Sequence, residues 1–177
     1  MKTQPTLPTF GEIVPGEHGR LGAIMRGALV STKGKKRHPD YAVIVLDLPG
    51  IDLPWGEYGK QITGAESLTD GLANTEALLK AQGSASAAER YAAQHIAELR
   101  QKHGIPDLYL GARGEMWGLR ANVPELFDKV IHWTSTQTSA GYAFVQDFEY
   151  GYSYWYGKDY EFRVRALRRI QLQHFNA

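Results

Sequence analysis

Apolar and polar residues follow no regular order over residues 1–20, and from Leu21 onward they fall into periodic segments separated by glycine and proline. The opening stretch interleaves Pro5, Pro8 and Pro15 with Gly11, Gly16 and Gly19. Proline fixes φ and removes a ladder donor, and glycine frees the backbone, so residues 1–20 are predicted to form an extended N-terminal arm ahead of one domain over 21–177. Leu21–Val30 and Tyr41–Leu48 are apolar and β-rich, and they flank Ser31–Asp40, which carries Lys33, Lys35, Lys36 and Arg37. This predicts a β-hairpin with a basic tip. Such a tip reads first as a solvated hairpin end, with phosphate or lipopolysaccharide binding as the other option. Pro49 and Gly50 end the second strand, and Asp52–Gly64 reads as irregular.

The next segments have helical spacing. A short helix is predicted over Thr75–Gln82, capped by Asn74 or Thr75 and closed by Gly83. A second, over Ser86–Arg100, opens on a capping box of Ser86 and Glu89, and Ala88, Tyr91, Ala92, His95, Ile96 and Leu99 recur on one face. Arg100, Lys102 and His103 suit the dipole of its last turn, and Gly104 ends it. Asp107–Leu110 reads as a short strand, and Arg113–Phe127 as a helical stretch interrupted by Gly118 and Pro124. Strands follow at Val130–Ser135, Tyr142–Phe148, Tyr152–Tyr156 and Glu161–Ile170, with turns at Glu149–Gly151 and Gly157–Asp159. Together these predict an α+β fold, two main helices packed on a curled antiparallel sheet.

Composition narrows the function classes. A hydrophobic share of 43% with 22% charge belongs to a globular chain. A net charge of +1 gives no electrostatic case for nucleic acid. No apolar run approaches the roughly 20 residues that span a bilayer, so no membrane insertion is expected. The chain has no cysteine, which removes disulfides, thiolate metal sites and a cysteine nucleophile. Met1–Phe10 lacks the apolar core of a secretory signal, so synthesis in the cytoplasm and release by another route are expected.

Five motifs occur in order between Ser67 and Arg169. Asp70-Gly71-Leu72-Ala73-Asn74-Thr75 precedes the alanine-rich helix, and Asp107-Leu108-Tyr109-Leu110-Gly111-Ala112-Arg113-Gly114-Glu115 follows it. Next come His132-Trp133-Thr134-Ser135-Thr136-Gln137 and an aromatic strand with a glycine turn, marked by Tyr142, Phe148 and Gly151. Lys158, Arg163-Val164-Arg165 and Arg168-Arg169 close the series. This stretch resembles the C-type-lectin-like domains of phage virion proteins and bacterial surface adhesins, related to the formylglycine-generating-enzyme fold and to the targets of diversity-generating retroelements. Leu108 and Gly111 stand where the family has tryptophan and proline. The resemblance implies a C-type-lectin-like fold, with Asp70, Asn74, Thr75, Trp133, Ser135, Thr136, Arg163 and Arg165 as structural motif residues. It implies no enzyme, since the chemistry of the formylglycine-generating relatives uses cysteines.

The aromatic cluster is the main candidate for function. Tyr150, Tyr152, Tyr154, Trp155, Tyr156 and Tyr160 surround two glycine turns, and strand alternation sends Tyr152, Tyr154 and Tyr156 to one face and Trp155 to the other. Tyrosine and tryptophan give rigid amphipathic contact area, so these residues, with Lys158, form the candidate ligand-binding set; cross-strand packing is the alternative. Asp147, Glu149, Asp159 and Glu161 alternate with the tyrosines rather than converging, so neither calcium nor any other metal or cofactor is expected. His95 and His103 are two helical turns apart, too far to share an ion. No dinucleotide or phosphate loop and no nucleophile–base pair is present. The expected function is a non-enzymatic phage virion protein of tail-fibre or baseplate type, homo-oligomeric, recognising a host-surface glycan or protein. The alternative is a structural subunit, a decoration or connector, docking on other virion proteins through its arm.

Overall fold

The longest purely apolar run, Tyr41–Leu46, becomes β3, and all its residues are buried. A strand with no polar face must be covered on both sides and both edges. Its antiparallel neighbours are β2 (Gly19–Met25), pairing Leu21 with Ile44, and β10 (Ala166–Gln171), pairing Leu167 with Val45. Two short strands, β1 (Ile13–Val14) and β5 (Tyr109–Leu110), complete a sheet in the order β1-β2-β3-β10-β5. The structure, a computed structural model, describes residues 6–26, 40–83 and 90–175. The basic tip at Lys33, Lys35, Lys36 and Arg37 and the capping box at Ser86 and Glu89 lie outside the described residues.

A second five-stranded sheet runs β4 (Ile51–Pro54), β9 (Glu161–Val164), β6 (Ile131–Gln137), β7 (Tyr142–Asp147), β8 (Ser153–Gly157). Its pairs are antiparallel except where His132 meets Arg163. The strand expected over Glu161–Ile170 therefore divides at Arg165, its first half joining this sheet and its second half the other. Arg165 belongs to neither ladder; it donates to the Leu46 carbonyl (3.1 Å) and lies 5.4 Å from the Phe127 ring centre. Asp52–Pro54, expected to be irregular, pair with β9 together with Ile51, with Pro54 at the end of an edge strand where its missing N–H costs least. The fold is α+β, with the strands in two sheets rather than one curled sheet and three α-helices among the described residues.

The first helix, α1 (Gly71–Gln82), begins earlier than predicted. Asp70, not Asn74 or Thr75, is its cap, and its Oδ1 accepts the Ala73 N–H at 3.0 Å. Asn74 and Thr75 turn inward instead. Asn74 Nδ2 donates to the Ser67 carbonyl and to Ser135 Oγ, and Thr75 Oγ1 accepts the Leu110 N–H. Helix α2 (Ala92–His103) starts after a non-helical Arg90 and Tyr91, and Gln94 Oε1 accepts the Tyr91 N–H at 2.7 Å. Gly104 closes it in the left-handed conformation (φ 66°). Helix α3 (Arg113–Asn122) runs unbroken through Gly118, and a single 3-10 turn at Pro124–Leu126 follows.

Three apolar clusters result. Trp55, Leu78, Ile96, Leu110, Trp133 and Val145 join α1 and α2 to the second sheet. Val43, Val45, Met116, Leu119, Phe148 and Leu167 pack under α3. Val14, Leu21, Ile44, Ile170 and Phe175, with Leu7 against them, fill the outer face of the first sheet. Residues 6–20 are thus part of the folded domain rather than an extended arm. Val14 is buried, and the Gly11 N–H donates to the Leu21 carbonyl at 2.7 Å.

Candidate functional site

The β7–β8 hairpin sorts the aromatic cluster. Its register sets Tyr142 opposite Gly157, Phe144 opposite Trp155 and Gln146 opposite Ser153, so these six positions share the face turned away from Ala143 and Val145, with Gln146 and Gly157 buried and Tyr142 and Trp155 exposed. Ala143 and Val145 face inward, and Tyr154 and Tyr156 pack half-buried against the same core as Trp133. Tyr154 and Tyr156 meet edge-on at 5.4 Å, and Tyr156 lies 4.9 Å from Phe162. Tyr152 precedes the strand and is 66% exposed, so Tyr152, Tyr154 and Tyr156 do not share one face as predicted. Tyr150, Trp155 and Tyr160 are exposed as well, Tyr160 stacking on Phe162 and Trp155 standing edge-on to Phe144.

Helix α3 supplies the second wall. Arg113, Trp117 and Arg120 recur at helical spacing on its outer side, opposite the buried Glu115, Met116 and Leu119. Arg113 Nε donates to Ser153 Oγ at 3.0 Å, and its guanidinium lies 4.3 Å from the Phe144 ring centre. Trp117 is 66% exposed, and Arg120 lies beside Gly151. Between this helix face, the 68–69 loop and the 151–153 segment runs a groove of about 430 Å³, with Trp117 and Tyr152 on its flanks and Leu68 in its lining.

Local chemistry fixes both walls. Asp147 Oδ1 accepts the N–H groups of Glu149 and Tyr150, and the Tyr152 carbonyl accepts from the Asp147 N–H and from Gln146 Nε2. Gly151 sits at φ +86°, a conformation that disfavours any side chain. At the other wall the Gly114 N–H donates to the Leu68 carbonyl at 2.8 Å, an approach a Cβ at position 114 would obstruct. Arg100, Arg163, Arg168 and Arg169 each pair with a carboxylate, whereas Arg113 and Arg120 have no carboxylate partner among the described residues.

Beneath the groove, Glu115 is fully buried. Its Oε1 accepts from the hydroxyls of Tyr41 (2.7 Å) and Tyr109 (2.9 Å), and its Oε2 from the N–H groups of Ala112 (2.7 Å) and Gly71 (3.1 Å). Burial raises its pKa to about 7 against the opposing pull of these donors. The carboxyl thereby joins the start of α3 to the start of α1 and to β3 and β5.

Lys158 does not belong with the candidate ligand-binding residues. It is fully buried; its Nζ donates to the Lys60 carbonyl (2.8 Å) and Gln137 Oε1 (2.9 Å) and lies 4.6 Å from the Trp55 ring centre. Burial lowers its pKa to about 8. The motif residues have internal partners. Trp133 Nε1 donates to the Leu53 carbonyl, Thr136 Oγ1 to the Ser67 carbonyl, and Arg163 pairs with Asp52 and Asp128. His95 is buried against Arg90 and Glu98, and burial lowers its pKa.

Sequence reasoning missed Arg113, Trp117, Arg120 and Leu68. The available signal was a tryptophan with arginines three and four positions away, on the polar side of a helix that the expected break at Gly118 concealed. A larger cavity of about 560 Å³ adjoins His18, Asp47, His103 and Arg168, but there Arg168 is already neutralised by Glu17 and Asp107. No protein-family model and no curated protein compared with the chain gives a match.

Proposed function

We propose that this protein is a non-enzymatic recognition module, a C-type-lectin-like component of a phage particle that contacts a host-surface receptor through the groove between α3 and the β7–β8 hairpin. The observation that carries the reading is the pair of large exposed rings, Trp117 and Tyr152, flanking one cavity on rigid elements. Tryptophan, tyrosine and arginine are the side chains enriched at binding hot spots. Among the described residues the groove lining contains neither carboxylate nor imidazole, which supports binding over acid–base chemistry. The family and the particle setting rest on the motif order between Ser67 and Arg169. Residues 6–20 are built into their own domain, so no described residue favours the reading in which an arm docks on a neighbour.

The test is binding of purified protein to host cells. The double variant Trp117→Ala/Tyr152→Ala should melt within a few degrees of the parent and lose cell binding at least tenfold. A folded double variant that binds as the parent does overturns the proposal.

A further inference from the structure

Two features of the groove say what kind of receptor chemistry it takes. One is the set of uncompensated guanidinium groups. Arg113 lines the groove and donates to Ser153, Arg120 lies just outside its lining with the guanidinium beside Gly151, and neither has a carboxylate within ion-pair distance among the described residues. Arg120 Nε is buried without a hydrogen-bond partner, so a ligand reaches this guanidinium through its terminal nitrogens. Groups of this kind gain most from a carboxylate brought by a ligand, because the charge-assisted hydrogen bonds form in a partly water-excluded site.

The other feature is what the walls lack. A saccharide carries a hydroxyl on nearly every ring carbon and needs matching donors and acceptors. Thr69 and Ser153 are the hydroxyl side chains lining the groove besides Tyr152, and Ser153 Oγ already accepts from Arg113. Leu68, Trp117 and Tyr152 offer apolar contact instead. An apolar side chain that enters between the two rings, with carboxylates at both ends, satisfies both features.

Resting on the groove as the recognition site, we infer that its ligand is an acidic peptide segment of a protein receptor, in which an apolar residue is flanked by two carboxylates. The seven-residue step from Arg113 to Arg120 is about 10 Å along the helix axis. An extended peptide advances about 3.3 Å per residue, so the two acidic residues stand about three positions apart with the apolar residue between them. The apolar residue packs between Trp117 and Tyr152, and the carboxylates meet Arg113 at one rim and Arg120 at the other.

The experiment is selection of a displayed random dodecapeptide library on the full chain, followed by titration of the selected peptides in synthetic form. Enrichment of two Asp or Glu about three apart around Leu, Ile, Phe or Trp is expected. Asn/Gln counterparts of those peptides should bind at least tenfold more weakly, Trp117→Ala should abolish binding, and Arg120→Gln should weaken it about fivefold. Arg120→Gln breaks no hydrogen bond among the described residues, and a melting curve matched to the parent's shows that the variant is folded. Enriched peptides without acidic residues that still depend on Trp117 overturn the acidic ligand and leave the groove as a binding site. Peptides indifferent to Trp117, or no enrichment at all, overturn the inference, while the host-cell assay decides the groove separately. Saturable quenching of tryptophan fluorescence by hyaluronan oligosaccharides or sialyllactose, lost in Trp117→Ala, makes the ligand a saccharide and overturns it as well.

Discussion

Two buried titratable groups pull the stability of this fold in opposite directions between pH 4.5 and 6.5, and a single substitution separates them. The Glu115 pKa is raised by burial to about 7 from 4.5, so its protonated form is favoured by folding. Its contribution is fully present below 4.5 and is lost as pH rises through 7. His132 is buried edge-on to the stacked rings of Phe127 and Phe148 with Nδ1 2.9 Å from the Val130 carbonyl, and burial lowers its pKa to about 4 from 6.5. Its contribution is present above 6.5 and is lost as pH falls through 4. Over the two pH units they share, each amounts to about 2 kcal/mol, below the limiting slope of about 1.36 kcal/mol per unit because each unfolded group is only half titrated at one end of the window, and the signs are opposite. The parent protein should therefore show little slope from this pair. Glu115→Gln fits the site: its amide oxygen can accept from Gly71 and Ala112, and its amide nitrogen can donate to the two tyrosine oxygens. Without the carboxyl the histidine is uncompensated, and the variant should lose about 2 kcal/mol relative to the parent between pH 6.5 and 4.5. Urea melts at pH 4.5, 5.5, 6.5 and 7.5, followed by the fluorescence of buried Trp55 and Trp133, measure this directly. Parallel pH profiles for parent and variant would refute the reasoning, because they would mean that Glu115 keeps the same proton affinity folded and unfolded.

Lys158→Met should destabilise the protein by about 1–3 kcal/mol, read by the same melts, since it leaves the Lys60 carbonyl without its donor and Gln137 Oε1 with the Ile62 N–H alone. Gly71→Ala should cost about 1–3 kcal/mol, because a Cβ there would press on Glu115 and stand 2.7 Å from the Leu110 carbonyl oxygen; a melting temperature equal to the parent's would contradict this packing. Trp117→Ala alone should change stability by no more than about 0.5 kcal/mol, as expected of an exposed side chain, and a large loss would mean that the ring is packed rather than presented to solvent.

What the sequence made legible was whatever depends on local spacing. The Tyr41–Leu46 run, the face of α2 carrying Ala92, His95 and Ile96, the glycine turns around β8 and the internal role of Trp133 all follow from period, propensity or size. The errors arose where a tertiary contact decides. Phe162, Val164, Ala166 and Leu167 read as one strand, and nothing local announces that the chain exchanges one sheet for the other at Arg165. Gly118 was expected to interrupt α3, since glycine costs a helix roughly 1 kcal/mol. The helix runs through it because packing outweighs that cost: Met116 and Leu119 on either side are buried under β2 and β3, while at 118 an added Cβ would make only ordinary contact with Ala23, at 3.5 Å.

The candidate site shows the same division. Its hairpin half was visible as a run of aromatics, but the face assignment hung on one residue. Tyr152 lies in the turn and the strand opens at Ser153, so Trp155 shares its face with Ser153 while Tyr154 and Tyr156 go to the core. Its helical half lies more than thirty residues earlier in the chain, and Trp117 acquires meaning only once Glu115, Met116 and Leu119 are known to be buried. A tryptophan on the side of a helix away from its own core must then be explained by something outside the core. That same inversion, with a carboxylate inside and an aromatic ring outside, ties the groove to the Glu115 network. The four donors to Glu115 set the position of α3 against α1, and the position of α3 sets the width of the groove. Glu115→Ala, unlike Glu115→Gln, should therefore weaken binding at the groove even under conditions where the protein remains folded, and a folded Glu115→Ala variant with parental affinity would uncouple the two.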